Sequence, residues 1–114
     1  MTDLSQLKTS NRIRVLNDNF RSTFLGGQVV MSAGVAALTL DVKSRAFIHV
    51  QTFTDFNEGN DPYGEHDFGW FELAGEKFYW KIDYYDKEMT SGSEDPSDPE
   101  KTTRVLTIMF PEEY

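Results

Sequence analysis

Apolar residues recur along this chain in two rhythms, one for each half. Between Asn11 and Phe24, the residues Ile13, Leu16, Phe20 and Phe24 are spaced by three and four positions, with Arg12, Arg14, Asn19 and Arg21 off that line. The spacing predicts an amphipathic helix, with Ser10 as its N-cap and Gly26-Gly27 as its stop. Gln28–Ser32 is a short β-branched run and predicts a strand, while Ala33–Leu38 fits either a loop or a short helical turn. Thr39 can cap a second helix, from Leu40 to about Thr54, in which Leu40, Lys43, Phe47, Val50 and Thr54 share one line and Ala46 and Phe53 lie beside it. Its β-branched residues lower its helix propensity.

From Phe68 onward the period changes to two. Phe68–Leu73 and Lys77–Tyr85 flank Ala74-Gly75-Glu76, a short glycine-containing link that predicts a hairpin. On the second strand Phe78, Trp80, Ile82 and Tyr84 alternate with Tyr79, Lys81, Asp83 and Tyr85, so one face is apolar and the other mixed. Asp55–Glu65 and Lys87–Thr102 are dense in turn formers and predict loops, and Thr103–Phe110 predicts a last strand. The order α-β-α-β-β-β predicts an α+β fold: a mainly antiparallel four-stranded sheet with two helices packed on one face. A length of 114 residues allows one core, expected over residues 10–114 behind a flexible stretch at 1–9.

Composition removes some chemistry. Cysteine is absent, which excludes disulfides, thiolate metal sites and a Cys nucleophile. Residues 1–8 lack a charged-then-apolar signal pattern, and no apolar run approaches the roughly 18 residues of a membrane span, so a cytoplasmic protein is expected. The formal charge of −8 is unevenly divided. Residues 1–54 carry six bases and three acids; residues 55–114 carry five bases and sixteen acids, a balance of −11. Such a field repels nucleic-acid phosphate and attracts cations or basic protein surfaces, so no direct nucleic-acid binding is expected.

Several stretches occur together: Leu16-Asn-Asp-Asn-Phe20, Asn60-Asp-Pro-Tyr-Gly-Glu-His-Asp-Phe-Gly69, Lys81-Ile-Asp-Tyr-Tyr-Asp86, and Ser93-Glu-Asp-Pro96 leading to Thr103-Arg-Val-Leu-Thr-Ile-Met109. In this combination the chain resembles, from about Asn11 to its end, a family of short bacterial proteins known only as a domain of unknown function, numbered three-seven-six-eight. The family has no assigned activity. Its occurrence in proteobacterial genomes, plasmids and phages implies an accessory role on mobile elements.

Candidate chemistry concentrates around Asp61, Tyr63, Glu65, His66 and Asp67. In a hairpin turning at Ala74-Gly75, positions near 66 come beside positions near 83–85, so these acids and Asp83 and Asp86 are expected to converge at one end of the sheet. Carboxylates with one imidazole suit Mg²⁺, Mn²⁺ or Ca²⁺, so Glu65, His66, Asp67 and Asp83 are the candidate metal ligands of a hydrolase or nuclease. The competing structural expectation is that Asp61-Pro62 and Gly64 form a tight turn, with His66 and its acids satisfying backbone donors and each other. An EF-hand is excluded, because the glycine after Asp55 comes one position early and His66 stands where the terminal Glu should be. No cofactor is expected unless a divalent cation binds.

Asp86 and, in the acidic loop at 87–102, Glu94, Asp95 and Asp98 are further binding candidates, with Tyr63, Trp70, Tyr79 and Tyr85 as aromatic anchors. Arg12, Arg14 and Arg21 read as a solvated helix face, or as partners for the acidic loops or for a second copy of the chain. His49 reads as a partly exposed helical residue with no ligand role. Two function classes follow. One is a binding protein that docks on a basic partner surface, with clustered carboxylates standing in for nucleic-acid phosphates. The other is the metal-dependent hydrolase.

Overall fold

The computed structural model describes residues 8–114, so the expected flexible stretch falls, at residues 1–7, outside the described residues. The first helix, α1, spans Thr9–Thr23; its N-cap is Lys8 rather than Ser10, with no side-chain cap. Its C-cap is Phe24, two residues before the expected stop at Gly26-Gly27, and Phe24 itself takes the left-handed conformation, at φ 59°. Gly27 already belongs to strand β1, Gly27–Met31. A Cβ there would lie 2.5 Å from the Arg104 carbonyl oxygen and 2.9 Å from the Phe20 ring, so glycine lets β1 close on its neighbours. The ambiguous stretch resolves into a short helix, α2, at Ala33–Ala36, where the Ser32 hydroxyl accepts from the Val35 N–H. The Thr39 side chain caps α3, Leu40–Gln51, by accepting from Val42 N–H.

Strands β2 (Phe68–Leu73), β3 (Glu76–Tyr85) and β4 (Thr103–Met109) complete a four-stranded sheet ordered β1-β4-β3-β2. The β2–β3 and β3–β4 pairs are antiparallel, but β1 pairs with β4 in parallel, Gly27 beside Arg104 and Met31 beside Ile108. The sheet is therefore mixed, and among the described residues there are three α-helices rather than two. Two partner strands more than seventy positions apart, with two helices and a hairpin between them, have no local turn to set their relative direction.

Phe20 of α1, Val35 of α2 and Ala46 and Val50 of α3 share one core with Phe71, Leu73, Phe78, Trp80, Ile82, Leu106 and Ile108 of the sheet. On β3 the alternation holds: Phe78, Trp80 and Ile82 are buried, while Tyr79, Lys81 and Asp83 are partly exposed. Trp80 reaches Phe53 and Phe56 edge-on, at 5.5 and 6.1 Å between centroids. Gly69, opposite Trp80, makes this possible, since a Cβ would lie 2.6 Å from the indole nitrogen. The C-terminal Tyr114 lies edge-on to Phe68 and Tyr79.

Candidate functional site: a polar cluster at one end of the sheet

The antiparallel β2–β3 pairing brings Glu65–Asp67 beside the end of β3, as the hairpin arithmetic predicts. The Ile82 N–H donates to the Asp67 carbonyl oxygen at 2.8 Å. The side chain that meets this segment is Tyr84, however, and not Asp83 or Asp86. Tyr84 OH donates to Glu65 Oε1 at 3.0 Å and accepts from Asn17 Nδ2 at 2.8 Å. Asn17 also donates to the Glu65 carbonyl oxygen, at 3.0 Å, and accepts from Arg104 Nε at 2.7 Å. Arg104 continues the chain to the Pro96 carbonyl, 2.5 Å from Nη2, and its guanidinium lies over the Tyr84 ring. One relay, buried at Asn17 and Arg104, thus links α1, the 55–67 loop, β3, β4 and the acidic 87–102 loop. Burial and the neighbouring carboxylates push the Tyr84 phenol well above its ordinary range, so it stays protonated and donates.

A second set of contacts holds the 55–67 loop against α1. The Gly64 N–H donates to the Asp61 carbonyl across the Asp61–Gly64 turn, and the His66 N–H donates to Asp61 Oδ1 at 3.0 Å. The turn leaves Gly64 and His66 both at positive φ, 66° and 56°. Glycine takes that conformation at little cost, whereas His66 is held in it by its partners. Its ring stacks on Phe56 at 3.7 Å; Nδ1 lies 2.8 Å from Asp18 Oδ1 and Nε2 lies 3.6 Å from Asp61 Oδ2. The carboxylates around His66 are therefore spent on the fold, as the structural expectation for this turn has it.

Arg21 corrects the expectation of a solvated arginine face. It is 5% exposed. Its Nη1 donates to the carbonyls of Val50 and Phe53, at 2.9 Å each, where α3 ends, and Nη2 pairs with Asp18 at 3.2 Å. The guanidinium also lies 5.2 Å from the Trp80 ring centre and 5.3 Å from that of Phe56.

The candidate metal ligands are divided. Glu65 is engaged by Tyr84 and His66 by Asp18 and Asp61, while Asp83 belongs to the other alternation of β3 and pairs with Lys81 at 2.8 Å. Burial, then the negative charge of Glu65, raises the Asp67 carboxyl above its usual range. Among the described residues no three His, Asp or Glu side chains are gathered to share a metal ion.

The 87–102 loop is internally hydrogen-bonded. Asp86 accepts from the Thr90 N–H at 3.0 Å, and its own N–H donates to the Ser91 carbonyl. Asp95 Oδ1 accepts from the N–H and hydroxyl of Ser97, and the Ser93 and Thr102 hydroxyls meet at 2.7 Å. These local bonds hold the Asp86 and Asp95 carboxyls below their usual range. Glu94 and Asp98 are also in this loop; Glu94 is exposed and lies 3.6 Å from Lys101, and the Asp98 carboxylate accepts from the Glu100 N–H. Of the aromatic anchors, Tyr63 is exposed, Tyr79 and Tyr85 are partly buried, and Trp70 is half-exposed with the Lys77 ammonium 4.1 Å over its ring. His49 is exposed on α3 and stacks on Phe71.

Asn17, Arg104 and Tyr84 did not stand out in the sequence as a site. Asn17 follows Ile13 by four and precedes Phe20 by three, so it lies on the buried line of α1, and Arg104 shares the inward alternation of Leu106 and Ile108. A polar residue at an apolar position was the available signal for both.

No curated protein and no solved structure matches the chain significantly. The family model described as a protein of unknown function (DUF3768) matches residues 31–113, from the end of β1 to the last turn. The chain belongs to the DUF3768 family.

Proposed function

We propose that this is a non-enzymatic, cytoplasmic binding protein whose acidic sheet end docks on a basic partner surface. In this reading it is an inhibitor carried on mobile elements, and its carboxylates stand in for nucleic-acid phosphates. The observation that supports it is the position of the two acidic loops. Asp55–Asp67 leads into the start of β2, and Asp86–Glu100 connects the end of β3 to the start of β4, so both leave the same end of the sheet. Twelve acids and one base lie in the two segments from Asp55 to Asp67 and from Asp83 to Glu100. Their turns are closed by hydrogen bonds, which lowers the ordering cost of docking. Charge displayed in this way chiefly raises the association rate and fixes the docking register.

The metal-dependent hydrolase gains no comparable support, because Glu65, His66 and Asp83 each have a protein partner already. The test is capture from a proteobacterial lysate with the immobilised chain and with a variant carrying Glu58→Gln, Glu88→Gln, Glu94→Gln and Glu100→Gln, all at exposed positions. A nucleic-acid-binding protein retained by the wild type and lost with the variant is expected. Equal retention on both would overturn the reading.

A further inference from the structure

Arg104 is only 4% exposed, and among the described residues no carboxylate lies within ion-pair distance of it. Its neighbours are neutral: the Asn17 side chain on Nε, the Pro96 carbonyl on Nη2 and the Tyr84 ring. Among the described residues Nη1 has no protein acceptor, and it is not one of the solvent-sealed nitrogens that Arg12 and Arg21 have at Nε. Burying a cation is costly, and burial lowers the Arg104 pKa, outweighing the nearby Glu65 carboxylate, which lies beyond ion-pair distance and is bonded to Tyr84. The same residue lines a cleft of about 150 Å³ between α1, the link from α1 to β1, and the end of the acidic loop. Its other walls include Leu16, Phe20, Leu25 and Pro99, with Thr102 near Arg104.

We infer that this cleft is a binding site for a small organic monocarboxylate with a short apolar chain. The guanidinium offers the carboxylate the planar donors it recognises best, and the hydrocarbon walls take the chain. Asn19 and Thr102 add polar atoms to the lining, but the four hydrocarbon walls outnumber them, which favours a carboxylate with an apolar chain over an inorganic oxyanion. The inference does not rest on partner docking, since among the described residues no acidic side chain lines the cleft, although Pro99 of the acidic loop borders it.

Sodium butyrate is the probe, titrated into the full chain and followed by amide NMR shifts and by thermal unfolding. Sodium chloride, sodium phosphate and n-butanol serve as matched controls. Saturable shifts of the Leu25, Gly26 and Thr102 amides are expected, with a rise in Tm that the controls do not give. Leu25 is 75% exposed, so Leu25→Glu leaves the fold intact while placing a like charge at the cleft. It should weaken butyrate at least about tenfold. Arg104→Lys should weaken it as well, because an ammonium lacks the planar fork. Absence of saturable shifts would overturn the inference, as would equal binding of n-butanol or phosphate, or a Leu25→Glu variant that binds as the wild type does.

Discussion

Single polar residues decide how the pieces of this protein meet. Arg21 answers two carbonyls at the end of α3 and fills the space beside Trp80 and Phe56. Arg21→Ala removes the guanidinium that bonds both carbonyls, leaving that of Val50 only its backbone donors, and takes the arginine partner from Asp18, so a loss of about 2–4 kcal/mol is expected in urea unfolding. A loss below about 0.5 kcal/mol would mean the bonds are dispensable. Asp67 acts in the opposite sense. Its folded-state pKa is raised, so the folded protein holds this proton more tightly than the unfolded chain does. Its contribution is complete below the ordinary carboxylate range and is lost as pH rises through the raised folded value. At neutral pH the ionised Asp67 is therefore a cost. Asp67→Asn should be more stable than the wild type at pH near 7, by a margin that closes as pH falls below the carboxylate range. A variant less stable at neutral pH would contradict this, and would reopen a role for the carboxylate.

The residues that reading along the chain passes over are of this kind. Asn17 and Arg104 are polar groups on inward positions, and they are buried because Glu65, Tyr84 and Pro96 arrive from distant segments to bond them. Periodicity reports which side of an element is apolar; it carries no information about a partner 48 or 87 positions away.

At the scale of elements, the alternation of β2 and β3 and the spacing of α1 were legible because each depends on local geometry alone. The parallel β1–β4 pair was not, since nothing local sets its direction. The hairpin turn lies between these cases. Its position was plain, but its backbone holds both Ala74 and Gly75 at positive φ, 53° and 80°, the pattern of a type I′ turn. Alanine pays a steric cost there that asparagine largely avoids. Ala74→Asn should stabilise the protein by about 0.5–1 kcal/mol in urea unfolding with an unchanged m-value. Destabilisation would indicate that the turn is not the constraint on this pair of strands.

For the whole molecule, the division of charge matters more than its total. The N-terminal half contributes its arginines to the interior and to the helix surface, while the second half gathers acids on two loops at one end of the sheet. Such an arrangement draws in a basic surface from a distance, and salt weakens it by screening. The convergence of the acids was legible from hairpin pairing. Their division among Tyr84, His66, Lys81 and solvent was not, because it depends on which face each side chain takes.

The most direct test is the association rate of the wild-type chain with its captured partner as ionic strength increases. Docking through the acidic end predicts a fall of at least about tenfold between low and physiological salt, and a much smaller fall for the Glu58, Glu88, Glu94 and Glu100 variant. A rate indifferent to salt, with wild type and variant alike, would contradict it.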